Sequence, residues 1–367
     1  MKCKCTPEEK GLVEHWYLSE SSKQSLPDDL EDFSHEKMQM WDEISEMSDL
    51  QNRRKRSGII LWGTSIAAAV LLIFSISNDF FIEKEEALIS KKENVQPFDK
   101  EAGTNKAVLT LGDGSKIILD DALKGNIATE GGISIRKSSD GSIVYDIPEL
   151  AVRNSKSVPY NTIETPKGGK YQVILPDGSK VWLNAGSLLR FPAIFTGTER
   201  NVELSGEAYF EVAKNIDLPF NVRTKNMNIH VTGTQFNVMA YNDENYSAAT
   251  LVEGSVQVSN PAQKFSIKPG EQVLANETSR LSKREADIEE TIAWKNGLFQ
   301  FNNSDIHTVM NQISRWYDVS IEYRGRVPEK HFGGYISRDS KLSQVLKMLE
   351  LSGVRFSVEE KKIIVLP

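Results

Sequence analysis

Five histidines, His15, His35, His230, His307 and His331, are the side chains best suited to proton transfer or metal binding, and they are scattered over 367 positions. None lies in the His-Glu-x-x-His spacing that sets two imidazoles on one helix face, and none neighbours a cysteine, so no zinc site follows. The two cysteines, Cys3 and Cys5, have no further thiol or histidine cluster beside them and make a poor metal site. There is no Gly-x-Ser-x-Gly elbow and no Walker loop. Asp113-Gly114-Ser115 and Asp177-Gly178-Ser179 lack the alternating acidic ligands of a calcium loop and read as turns. The chemistry expected is binding rather than turnover, with no catalytic residue, no cofactor and no metal.

The elements that would position a binding surface begin with an anchor. Gly58 to Ser77 is twenty residues without a charge, and about 20 apolar residues of helix cross a bilayer. Arg53-Arg54-Lys55-Arg56 precedes it and Asp79, Glu83, Glu85 and Glu86 follow. Basic residues stay on the cytoplasmic side, so the N-terminus is expected inside and the C-terminal part outside. A cleaved signal is the weaker reading, because its charged region would exceed fifty residues where such signals total roughly 15–30.

The net charge of -7 is uneven: residues 1–52 carry thirteen Asp/Glu against five Lys. That acidity argues against direct nucleic-acid binding and suits a partner with a basic surface. Two amphipathic helices are expected over residues 1–57, with Leu12, Trp16, Phe33, Trp41 and Ile44 on apolar faces. These faces either pack on each other or dock on a partner. Residues 78–106 read as a charged stalk.

Beyond the stalk the pattern alternates with period two. Thr110–Leu119 and Ile174–Leu183 agree at six of ten positions, each around Asp-Gly-Ser-Lys. Gly, Asn, Asp or Pro punctuates the alternating runs every eight to twelve residues, which predicts an all-β sandwich or short solenoid over 107–290. The charged run Ser279–Glu290 reads as a hinge. Residues 298–367 change rhythm to β-α-β-β-α-β plus one strand, an α+β domain. Its first helix is expected to be capped by Asn303 or Ser304 and its second to end with Gly353 as C-cap.

Three stretches carry a likeness: Leu175–Pro192 (LPDGSKVWLNAGSLLRFP), Val202–Lys214 (VELSGEAYFEVAK) and Val231–Tyr241 (VTGTQFNVMAY), followed by LVEGSVQV and KPGEQ. From about Tyr160 to Ala275 the chain resembles the periplasmic domain of the FecR family of anti-sigma factors in its Bacteroidota style. Residues 298–367 are similar to the short N-terminal domain of secretins and TonB-dependent transducers. The resemblance implies a single-pass inner-membrane regulator that relays a signal from a TonB-dependent outer-membrane transporter to a cytoplasmic extracytoplasmic-function sigma factor, in iron or glycan uptake. It implies that Leu12, Trp16, Phe33, Trp41 and Ile44 meet the sigma factor. Some members of the family cleave themselves at a Gly-Thr bond in this region, the Thr hydroxyl attacking the preceding carbonyl, which would fall at Gly233-Thr234; the plainer reading of those residues is a tight strand turn. The alternative is a membrane-tethered periplasmic module that binds glycan or cell wall, with Trp182, Tyr209 and Phe236 as an aromatic platform, although rings at strand spacing more often belong to a core.

Overall fold

The computed structural model describes residues 99–120, 124–139, 141–148, 158–326 and 329–367. The helices expected over 1–57, the transmembrane helix over 58–77 and most of the stalk lie outside the described residues, and Leu12, Trp16, Phe33, Trp41 and Ile44 with them. Among the described residues no helix is long and apolar enough to cross a membrane.

The described chain opens with β1 (Thr104–Asn105), β2 (Val108–Thr110), β3 (Lys116–Ile118), β4 (Gly125–Glu130), β5 (Ile133–Lys137) and β6 (Ile143–Asp146). It continues through β7 (Tyr160–Glu164), β8 (Gly169–Ile174), β9 (Lys180–Leu183), β10 (Leu188–Pro192), β11 (Arg200–Glu211), β12 (Phe220–Arg223) and β13 (Asn228–Val231). The strands β14 (Gln235–Ala240), β15 (Tyr246–Glu253), β16 (Val256–Ser259), β17 (Lys264–Ile267), β18 (Glu271–Asn276) and β19 (Leu281–Glu285) complete the β region.

Two sheets result. One runs β3-β2-β7-β10-β11-β12-β13-β16-β17 and the other β4-β5-β6-β8-β9-β11-β14-β15-β18-β19. Strand β11 belongs to both. Its first half pairs with β10 and β12, its second with β9 and β14, and the change falls at Gly206. Gly206 has φ +98°, and a Cβ there would sit 2.6 Å from the Ser187 Cα, so no other residue fits the crossing. The inward residues of both sheets form one apolar core that includes Leu109, Ile163, Phe191, Phe220 and Phe236. A shared core between two layers makes this a sandwich rather than a solenoid.

The two echoed segments fold alike. Leu111 and Leu175 each receive the Gly N–H of their Asp-Gly turn and donate to Ser115 and Ser179, and the flanking strands pair as hairpins, β2 with β3 and β8 with β9.

The charged run Ser279–Glu290 is not a hinge. Its first half is β19, in register with β18, and Asp287 then caps helix α1 (Ile288–Ile292) by accepting the Glu290 N–H. The run is charged because β19 is an edge strand among the described residues, with only Leu281 buried, and an edge tolerates charge on both faces.

The C-terminal domain follows as β20 (Leu298–Asp305), α2 (Ile306–Tyr317), β21 (Ser320–Tyr323), β22 (His331–Ser337), α3 (Leu342–Glu350), β23 (Arg355–Glu359) and β24 (Lys362–Leu366). Strands β20 and β22 pair antiparallel, while β21-β24-β23 form a second sheet with β21 parallel to β24. Helix α2 buries Ile306, Val309, Ile313 and Trp316, and α3 buries Leu342, Val345, Leu346 and Leu349, as their spacing predicts. The α2 cap is Asp305, not Asn303 or Ser304; its carboxylate accepts the N–H groups of His307 and Thr308. Asn303 instead takes φ +59° in an irregularity of β20, between Phe301 and Ser304. Helix α3 ends at Glu350 with Leu351 as cap, and Gly353 sits in the turn beyond.

Candidate functional site

The end of the stalk stretch is not free. Asp99 accepts the Ser343 N–H at 3.0 Å and the Ser343 hydroxyl at 2.8 Å, and the Lys100 carbonyl accepts the Leu342 N–H at 2.9 Å. These are unsatisfied donors of the first turn of α3, so residues 99–100 cap that helix from outside it. Although partial burial pulls the other way, the bonds from Ser343 hold the Asp99 carboxyl below the usual carboxylate range. Glu101 pairs with Lys341 at 2.7 Å. Strand β1 then pairs with β8.

A closed ring of hydrogen bonds joins the sandwich to the C-terminal domain. Arg338, just past β22 and 3% exposed, donates to Asn184 Oδ1 at 2.9 Å and to the Trp294 carbonyl at 3.2 Å. Asn184 and Asn237 each donate to one oxygen of Glu207, at 2.7 and 3.0 Å. The Trp294 indole N–H closes the ring on Asn237 Oδ1 at 3.2 Å. The guanidinium also lies 3.8 Å over the Trp316 ring, whose own N–H donates to the Arg338 carbonyl.

Burial pushes the Glu207 carboxyl up, while the two amide donors and the nearby Arg315 and Arg338 oppose it. Burial pushes Arg338 down to about 10. Both members thus carry desolvation that only their mutual arrangement offsets.

A second clasp lies alongside. Arg315 of α2, nearly buried, donates to Asp243 at 3.2 Å and Glu244 at 2.6 Å in the turn between β14 and β15, and stacks 4.0 Å over Tyr241. The Tyr241 hydroxyl donates to the Ala185 carbonyl at 2.8 Å. Clasp and ring together tie the C-terminal domain to the sandwich through side chains of both.

Gly233 and Thr234 are at the tight turn between β13 and β14. Gly233 has φ +148°, and a Cβ there would meet the Lys214 Cα at 2.7 Å. Thr234 is buried, with its hydroxyl donating to the Ser255 carbonyl at 3.0 Å. The aromatic platform does not exist as a surface. Phe236 is fully buried and stacked on Phe210 at 5.0 Å, Tyr209 is buried with its hydroxyl on Gln235, and only Trp182 keeps partial exposure. Strand alternation placed these rings without showing which sheet face is covered.

Set against known proteins, the FecR protein family matches residues 161–257 and the FecR C-terminal family matches residues 298–365. Two crystal structures of a candidate anti-sigma factor from Parabacteroides distasonis ATCC 8503 are each 34% identical to this chain, at TM-score 0.53. This chain covers 97% and 98% of them, and they cover 56% of it. The chain belongs to the FecR family. No protein with a curated description matches it. Within the FecR match lie Asn184, Glu207 and Asn237, Arg338 lies in the FecR C-terminal match, and Trp294 falls in the stretch between them. The ring therefore ties one FecR region to the other. Nothing in the sequence marked its members. Glu207 and Asn237 sit on the outer face of their sheet, where alternation permits polar residues; Asn237 is buried and Glu207 half-buried where the C-terminal domain docks.

Proposed function

We propose that this FecR-family chain is an anti-sigma regulator: a single-pass inner-membrane protein whose residues 1–57 hold a sigma factor in the cytoplasm and whose described part senses a partner in the periplasm. The observation that carries the proposal is the 34% identity to a candidate anti-sigma factor of which the chain covers 97%. The sigma factor is of the extracytoplasmic-function class, held by Leu12, Trp16, Phe33, Trp41 and Ile44, with the acidic residues of 1–52 facing its basic surface. The periplasmic partner is the signalling domain of a TonB-dependent transporter, in iron or glycan uptake. Strand β22 offers it an edge with no neighbour among the described residues, and exposes Tyr335 there. A pull-down of the sigma factor tests the inner half. Trp16→Ala with Trp41→Ala should abolish capture, and full capture would overturn the assignment.

The clasp of Asp99 and Lys100 on α3 supports a route inward. The C-terminal domain grips the stretch that leads to the N-terminal part, so a partner that disturbs α3 acts on the lead as well. The chain works by binding and carries out no turnover. The Thr234 hydroxyl is committed to Ser255, and an intact chain is expected on a blot; two bands that merge in Thr234→Ala would establish self-cleavage instead. The tethered glycan-binding reading loses its support with the burial of Phe236 and Tyr209.

A further inference from the structure

Residues 99–106 run along a seam made from both domains. Beyond the bonds of Asp99 and Lys100 to α3, the Lys100 ammonium lies 3.7 Å from Asp318, the C-terminal cap of α2. On the sandwich side, the Thr104 and Lys106 N–H groups donate to the carbonyls of Gly168, just before β8, and Lys170, at 2.9 and 3.2 Å.

The middle of the run is its tightest part. A Cβ on Gly103 would sit 2.7 Å from the Cε3 and Cζ3 atoms of Trp316 and 2.8 Å from the Gly168 carbonyl oxygen. Neither wall yields easily. Trp316 is 1% exposed, and the Gly168 N–H donates to the Arg315 carbonyl at 2.7 Å. Only a residue without a side chain passes between them. One wall belongs to α2 and the other to the sandwich, so the slot exists only while the two are docked.

Trp316 also connects the slot to the hydrogen-bond ring. The Arg338 guanidinium lies over its indole, and the indole N–H donates to the Arg338 carbonyl at 2.8 Å. The run itself has few buried contacts: Asp99, Glu101, Thr104, Asn105 and Lys106 are exposed. Such a segment opens at lower cost than the domains that hold it.

We propose that residues 99–106 are a releasable strap, seated while α2 and α3 stay docked on the sandwich and freed when the C-terminal domain shifts. Coupling of this kind is reciprocal, so whatever loosens the ring at Arg338 loosens the strap. What the strap passes to residues 1–57 rests on the regulator reading above. Its release does not, and is measured without a sigma factor.

Hydrogen exchange of the purified full-length chain in detergent, read by mass spectrometry, tests the strap. The Thr104 and Lys106 amides should exchange slowly in the wild type. Gly103→Ala adds a clash only to the seated strap, so those amides should exchange at least about tenfold faster while β11 and β14 keep their protection. Arg338 makes no bond to residues 99–106, yet Arg338→Ala should speed the same amides several-fold through Trp316. Asp177→Ala, which weakens the sandwich at the other end of β8, should leave them at the wild-type rate. Should Arg338→Ala fail to fold, Arg338→Lys, which loses the planar stack on Trp316, should give the same change in smaller measure. Wild-type rates in Gly103→Ala overturn the seat, and wild-type rates in the Arg338 variants overturn the coupling. A gain in Asp177→Ala equal to that in Arg338→Ala also overturns it, since general loss of stability would then explain both.

Discussion

Two Asp-Gly-Ser turns with nearly the same sequence do different work, and the difference is one arginine. Asp177 accepts from Ser179 and also from the Arg200 guanidinium at 2.6 Å, where Arg200 is 1% exposed and donates further to the Leu218 and Ala213 carbonyls. Among the described residues Asp113 accepts only from Ser115, and it is exposed. Removing one member of a buried ion pair strands the other, at about 3–5 kcal/mol. Asp177→Ala should therefore unfold in urea with a loss of that order, while Asp113→Ala should cost no more than about 1 kcal/mol for its turn bonds. The glycine at 233 gives a second residue-scale expectation. With φ +148° and the Lys214 backbone 2.7 Å from any added Cβ, Gly233→Ala should destabilise by about 1–3 kcal/mol, read as a lowered urea midpoint.

Helix α2 shows how an element can be legible while its boundary is not. The spacing of Ile306, Val309, Ile313 and Trp316 located the helix and its buried face, because apolar periodicity is set by the core it meets. The cap was misplaced, since Asn303, Ser304 and Asp305 are all competent and only the irregularity of β20 decides that Asp305 begins the helix. Asp305→Ala should cost about 1 kcal/mol at neutral pH. Although its partial burial alone would raise it, the bonds from Thr308 and His307 hold the Asp305 carboxyl below 3.8. A depressed folded pKa means that this stabilisation is complete above the unfolded value and disappears as pH falls through the folded one. The gap between wild type and Asp305→Ala in thermal melts should accordingly close in strong acid. The same logic separates what could be read elsewhere. Inward residues such as Phe210 and Phe236 and the turns at Gly114 and Gly178 were plain from alternation and Asp-Gly. The ring of Asn184, Glu207, Asn237, Trp294 and Arg338 was not, because its members lie far apart in sequence and are polar residues on faces that look solvated until a second domain covers them.

At the scale of the molecule, the hydrogen-bond ring and the Arg315 clasp tie the sandwich to the C-terminal domain. Glu207 is raised above 4.5 by burial, so the folded state holds its proton more tightly than the unfolded chain does. The contribution of Glu207 to stability is then full below about 4.5 and fades as pH rises through its folded value. In Glu207→Gln the stability curve should lose that decline on the alkaline side of the window, as followed by tryptophan fluorescence in urea at successive pH values. The stronger test is of cooperativity. Arg338→Ala leaves the half-buried Glu207 without a cationic neighbour, and Arg315→Ala frees the turn at Asp243 and Glu244; together they cut both ties. The wild-type sandwich and C-terminal domain should unfold in a single transition, since each covers polar and apolar surface of the other. The double variant should show two transitions, with the C-terminal domain melting first because its core is the smaller. A single unshifted transition in the double variant would mean that the apolar contacts of Trp316 and Tyr241 hold the junction by themselves, and that the charges set its alignment rather than its strength.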